Sequence, residues 1–306
     1  MPACPVCAAS TGPPVLRGRD RLLDIPGDFS VAECTGCGLA LTEPWLEGSA
    51  LARHYPEEGY EPYRPPSGAL GRLMAANRRL QVDAKLRLQP FRGLGEPGRV
   101  LDVGCGRGDL AAAFARRGFE ACGIEPSESA VEAARALGVD ARQGTIEEAP
   151  WEAGSFDSVV FNHSLEHVPD PVGALARAQA LLRPGGRLAV VVPDWGSRQR
   201  RLFGSRWFHL DLPRHLQHFD AQALEEAARR AGLTPLGTGT NASASGLPGS
   251  VQYALAGRCV FTGGRLRPAL LALMLLYPLT GLLGRASGGD WRWLLAERPE
   301  VSPPPR

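Results

Sequence analysis

Apolar and polar positions alternate in a regular order through the middle of the chain. Short apolar runs at Val100–Val103, Ala121–Ile124, Val139–Gln143, Phe156–Phe161 and Arg187–Val192 predict strands. Stretches with helical spacing separate or follow them at Asp109–Arg117, Ser127–Leu137, Pro171–Leu182 and Asp220–Ala231. Ser129 and Glu132 stand in capping-box spacing. The "RPGG" after Leu182 offers a glycine for a helix C-cap. A last strand is expected at Trp291–Pro299. Such alternation predicts an α/β fold with helices on both faces of a mostly parallel sheet. Upstream, Ala69–Leu88 predicts a helix with Leu70, Leu73, Leu80, Ala84 and Leu88 on its apolar side. Arg72, Arg78, Arg79, Lys85 and Arg87 then form its other face, solvated or in contact with a polyanion.

The segment "RVLDVGCGRGDL" carries an apolar run into a glycine-rich turn and on into a helix, the opening of a nucleotide-binding βα unit. The dinucleotide fingerprint is G-x-G-x-x-G. Here Gly104, Gly106 and Gly108 read G-x-G-x-G, and Asp109 stands where the third glycine belongs. A carboxylate at that helix start competes with a pyrophosphate for the positive end. A ligand without phosphates fits better, and S-adenosylmethionine is one. Glycines let the backbone approach its amino-acid head. Asp102 can hold the ammonium end, directly or through water. Glu125 can bind both ribose hydroxyls, though an acid there serves NAD equally well.

Cysteine changes the picture at the N-terminus. Cys4, Cys7, Cys34 and Cys37 form two C-x2-C pairs among seven cysteines in all. A two-residue spacer lets both sulfurs face one ion, and four thiolates suit a closed, structural zinc. Gly36 and Gly38 permit the tight turn of a knuckle. Cys105, Cys122 and Cys259 are scattered and read as small buried residues. The chain starts without a charged region followed by an apolar run, so a cytoplasmic protein with reduced thiols is expected.

The stretches "VLDVGCGRGDLAAAFARRG", "CGIEPSESAVEAAR", "SFDSVVFNHSLEHVPDP" and "LLRPGGRLAVVVPD" resemble consecutive motifs of class I S-adenosylmethionine-dependent methyltransferases. The resemblance covers about residues 95 to 235. It implies a Rossmann-like seven-stranded sheet with an antiparallel last strand, and methyl transfer from S-adenosylmethionine. It places Asp102, Gly104, Gly106, Gly108 and Glu125 at the cofactor, Thr145 and Ile146 beside the adenine, and Asn162 and His163 beside the methyl group. An aspartate is common in that family where Thr145 stands. The zinc module, a tyrosine-bearing connector and "DLPRHLQHFD" resemble, more narrowly, bacterial methyltransferases of sugars and cell-surface precursors. Those C-methyltransferases carry a longer C-terminal domain.

Methyl transfer needs an oriented acceptor and often a base. His163 and His215 are the candidate catalytic residues, with Arg214, His215, His218 and Tyr60 as candidate acceptor contacts. Arg214 offers a fork for a phosphate or carboxylate, or pairs with Asp211 to close a lid. His167, beside Glu166, reads as a loop tie. The domain order is a zinc module at 1–40, a connector and helix at 41–92 and a cofactor-binding core at 93–240. An apolar helical insertion at 241–290, the final strand at 291–299 and a disordered tail at 300–306 follow.

"LRPALLALMLLYPLTGLLG" (266–284) is apolar but broken by Pro278, so it is read as a buried or self-associating hairpin, or as a surface resting on the inner membrane face. Partners that follow are a small-molecule acceptor, such as a nucleotide-linked or lipid-linked sugar, and a second copy in a homodimer. A net charge of +2 without basic clusters argues against nucleic acid. An RNA methyltransferase with a zinc recognition module and a non-catalytic scaffold are the competing readings.

Overall fold

The computed structural model describes residues 3–55, 78–243, 245–258 and 288–300. Three strands open the chain: β1 (Thr11–Gly18), β2 (Phe29–Cys34) and β3 (Ala40–Glu43), with a short α1 (Gly48–Ala52) after them. The described part of helix α2 is 78–85. The central region follows as β4 (Arg99–Val103), α3 (Asp109–Ala115), β5 (Glu120–Glu125), α4 (Glu128–Ala136), β6 (Asp140–Gln143), β7 (Phe156–Asn162), α5 (Pro171–Leu181) and β8 (Leu182–Pro193). Then come α6 (Arg198–Phe203), β9 (Gln217–His218), α7 (Ala221–Arg230), β10 (Thr234–Asn241), α8 (Gly246–Ala256) and β11 (Trp291–Glu297).

Seven strands form one sheet in the order β10-β11-β8-β7-β4-β5-β6. From β8 to β6 neighbouring strands are parallel, and β11 runs antiparallel to both β8 and β10. The order reverses between β4 and β7, so their C-terminal ends open a crevice where ligands of such sheets bind.

The apolar runs are continuous because both faces of the sheet are covered. On β8, Leu188, Val190 and Val192 face α5 and α7, packing with Ala174, Leu175 and Leu224. Ala189 and Val191 face the other way, toward Leu86, Phe91 and Phe114. Each such buried Leu, Val or Phe contributes about 1.5–3 kcal/mol of transfer free energy.

Four sequence expectations are corrected. α4 is capped by Ser127, whose hydroxyl accepts from the Ala130 amide, while Ser129 only meets Ser127 at 3.1 Å. No glycine caps α5: the chain turns extended at Leu182, and "RPGG" lies inside β8. Strand β10 escaped notice because "TPLGTGTN" is polar and half-exposed at a sheet edge, where one flank needs no apolar cover.

The fourth correction concerns α2. Leu80 (69% exposed) and Leu88 (41%) face solvent, while Val82 and Leu86 pack inward and Lys85 follows them. Of the basic side, Arg78 pairs with Asp109 at 2.9 Å, and the acidic Asp83 of the same helix holds Arg116 at 2.6 Å.

β1, β2, β3 and β9 form a second, antiparallel sheet in that order. β9 belongs to the segment after α6, so the N-terminal module and the later chain share a sheet. Among the described residues no helix is long and apolar enough to cross a membrane. Tyr60, the apolar stretch 266–284 and residues 301–306 lie outside the described residues.

Candidate functional site

The four cysteine sulfurs converge. Cys4 Sγ lies 3.6 Å from Cys37 Sγ and Cys7 Sγ 3.3 Å from Cys34 Sγ, all within 4.8 Å of one another. Matching turns deliver them: Ala8 N donates to Cys4 O, and Gly38 N to Cys34 O. Residue types differ at the equivalent left-handed position, Ala8 at φ 62° and Gly38 at φ 79°. Gly36 serves space instead, since a Cβ there would lie 3.0 Å from Cys7 Sγ. The donor set suits a closed tetrahedral zinc. Because alanine is strained at positive φ, Ala8→Gly is expected to stabilise the protein by about 1 kcal/mol. A higher urea midpoint checks it; a lower one would mean that the Ala8 methyl packs usefully.

At the crevice, β4 carries the buried Asp102 one residue before its end and β5 ends on the buried Glu125. Glu125 is fixed from both sides. Gly106 N donates to Oε2 at 3.0 Å and Ser127 N to Oε1 at 3.1 Å. The intervening turn places Gly104, Gly106 and Gly108 at positive φ, and a Cβ on Gly106 would project into open space. That opening and the two acids make a cradle for a ligand with hydroxyls and a cationic end. Ile146 is buried beyond β6, while Thr145 is exposed and bonded to Glu148 of its own turn.

Burial raises the Asp102 carboxyl to about 7, against the pull of Lys85. A raised folded-state pKa means stability present below the unfolded value and lost as pH climbs through about 7. Asp102→Asn should therefore gain on the wild type between about pH 4.5 and about pH 8, read by urea unfolding at both. Parallel curves for the two proteins would show that Asp102 is ionised throughout.

Lys85 is the residue that sequence reasoning missed. The helical pattern puts this sole lysine on a solvated face, yet its Nζ donates to Asn162 Oδ1 at 2.5 Å and sits 4.3 Å from the Trp291 ring centroid. Burial lowers its ammonium to about 7, with Asp102 and Glu166 opposing. One signal could have found it: a lone lysine in an arginine-rich chain, in phase with Val82 and Leu86. His163, at φ 57°, stacks edgewise on the same tryptophan with centroids 4.5 Å apart. Asp102, Asn162, His163 and Lys85 thus gather at one end of the crevice.

The segment 211–218 closes the other side. Arg214 is wholly buried, and all five of its N–H donors are used. Asp20 takes two bonds at 2.8 Å, Asp211 accepts from Nε and from Nη2, and His54 O accepts from Nη1 at 3.2 Å. Arg214 in turn pulls Asp211 down to about 2. The pairing of Arg214 with Asp211, one of its two expected roles, is the arrangement observed.

His215 is buried, its Nδ1 against His209 O at 3.0 Å and its Nε2 3.9 Å from Glu166 Oε1. Thr42 of β3 holds that backbone, its Oγ1 donating to His215 O at 2.6 Å. His218 is tucked into β9 between Thr42 and Trp195. His163 and His215 flank Glu166, whereas His218 and Arg214 face the N-terminal module.

Comparison with known proteins agrees with this architecture. A family model described as "Methyltransferase domain" matches residues 74–237, more than half of the chain. A ubiquinone biosynthesis O-methyltransferase of Bordetella avium is 34% identical over 163 residues, covering 49% of this chain and 68% of that protein. One from Hahella chejuensis is 47% identical over 97 residues, 29% of this chain, and the match spans 41% of its length. Three further ubiquinone biosynthesis O-methyltransferases are likewise matched over about two fifths of their length. An S-adenosylmethionine-dependent methyltransferase structure from Archaeoglobus fulgidus superposes with a TM-score of 0.51 at 17% identity, over 72% of this chain and 94% of that one, which speaks for the fold. Matched by the family model over more than half its length, and 34% identical to a relative over a stretch that covers 68% of that relative, this chain belongs to the methyltransferase-domain family.

Proposed function

We propose that the chain is an S-adenosylmethionine-dependent methyltransferase acting on an oxygen of a small-molecule acceptor. The observation that carries this is the pair of buried acids, Asp102 and Glu125, on either side of a glycine turn open at Gly106. Relatives named as O-methyltransferases favour oxygen as the atom methylated. A sugar or cell-surface precursor, nucleotide-linked or lipid-linked, falls within this class. The sequence of 266–284 suits a lipid-linked member of it.

S-adenosylmethionine supplies an electrophilic methyl group on a sulfonium. Glu125 would hold the ribose hydroxyls, and Thr145 and Ile146 would border the adenine. Asp102 would take the ammonium, with Lys85 and Asn162 beside the carboxylate. Burial keeps His163 and His215 neutral at physiological pH, so each can accept a proton from an acceptor hydroxyl. Arg214 acts through the loop it anchors, and a zinc in the four cysteines would rigidify the sheet that carries Thr42.

Purified protein, given methyl-tritiated S-adenosylmethionine and fractionated lysate, tests the reading. Label in soluble small molecules or lipid supports it. Label in RNA or protein overturns the acceptor class. No label, with no heat of binding for S-adenosylhomocysteine, leaves a scaffold.

A further inference from the structure

Glu166 is unusual for a buried acid. Only 1% exposed, it has no hydrogen-bond partner for either carboxylate oxygen among the described residues. Buried carboxylates normally have partners, and an orphan demands an explanation such as an ion. Two imidazole nitrogens stand round Oε1 just beyond bonding distance, His163 Nδ1 at 3.6 Å and His215 Nε2 at 3.9 Å. His167 closes the group: one donor atom each of Glu166, His167 and His215 lie within 4.8 Å of one another.

The surroundings aim these donors. His215 Nδ1 is held by His209 O at 3.0 Å, and His167 Nδ1 by Arg214 O at 2.9 Å. A ring that gives its Nδ1–H to a carbonyl presents Nε2 as a lone pair, the arrangement found behind metal-bound histidines. Tyr55 Oη lies 2.8 Å from His167 Nδ1. The two loops are stitched together by Leu216 N donating to Glu166 O at 3.0 Å, which fixes their spacing.

We propose that Glu166, His167 and His215 form a divalent-cation site at the acceptor end of the crevice. Two histidines and one carboxylate on one side of an ion leave coordination positions open. Resting on the methyltransferase reading, the cation's task is to bind the acceptor hydroxyl. The O–H bond then ionises, its proton passing to His163, whose Nδ1 lies 3.6 Å from Glu166 Oε1. The oxygen lone pair forms the O–CH3 bond as the S–CH3 bond breaks, and sulfur keeps that electron pair. His215 serves in this scheme as a ligand, and His163 remains the neighbouring proton acceptor.

Manganese(II) is the probe, because four thiolates do not select it. Full-length protein with its zinc content measured is titrated with Mn2+ and followed by electron paramagnetic resonance. The expected result is one bound Mn2+ with nitrogen couplings from coordinated imidazole, and at least about tenfold weaker binding in Glu166→Gln and in His167→Gln. No binding at millimolar Mn2+, or binding without nitrogen couplings in the wild type, overturns the site even if neither variant folds. Undiminished affinity in both folded variants overturns it too. S-adenosylhomocysteine titration of the same samples separates the two readings. Cofactor binding without Mn2+ binding sinks the cation alone. Mn2+ binding without cofactor binding sinks the methyltransferase reading and leaves the site.

Discussion

Asp20→Ala is expected to cost about 3–5 kcal/mol of unfolding free energy, the range seen when one partner of a buried ion pair is removed. Asp20 and Arg214 are both fully buried and meet in a fork-on-fork pair with two 2.8 Å bonds. Removing the carboxylate leaves a buried guanidinium with Asp211 as its counter-charge and the His54 carbonyl as its other partner. Asp20 also accepts from the amides of Leu22 and Leu23 at 3.0 and 2.9 Å, so the loop after β1 loosens as well. Urea unfolding checks the value. Adding Arg214→Met should recover part of the loss, because the stranded charge goes with it. A cost under about 1 kcal/mol would mean that water already reaches the pair.

Glu125→Ala carries the second large effect, on binding. Two charge-assisted bonds to ribose hydroxyls would vanish, each worth about 1.5–3 kcal/mol. S-adenosylhomocysteine affinity should fall at least a hundredfold, on the order of 3 kcal/mol. Calorimetry reads it directly. Thr145→Ala is the contrast: its side chain is exposed and reaches Glu148 of its own turn, so it would border the adenine through its backbone alone and affinity should barely change. Equal affinity for wild type and Glu125→Ala would remove the ribose from that end of β5.

The strands and helices of the central sheet were legible because their faces are buried on both sides. Burial there demands apolar runs, as in "VVF" of β7 and "LAVVV" of β8. What failed to show was edge and polar structure. β10 pairs by backbone along a half-exposed edge, and β9 is two residues long, so neither leaves a pattern. The cysteine quartet was legible from spacing alone, since four thiolates in reach of one another need little context. Lys85 was not, because a periodicity reading sorts charge to the outside, and here the charge goes in toward Asn162. The Arg214 cluster was half legible. Asp211, three residues earlier, is visible in sequence, whereas Asp20 lies 194 residues away.

That separation has a consequence for synthesis on the ribosome. Chains grow at about 5–20 residues per second, so Arg214 follows Asp20 by roughly 10–40 s. Throughout that interval β3 lacks its β9 neighbour and Asp20 lacks its counter-charge. The cysteine pairs, by contrast, are 27 and 33 residues apart and are complete almost at once. A metal held by the four sulfurs would therefore act as a temporary staple, keeping the nascent N-terminal strands in register until their last partner emerges.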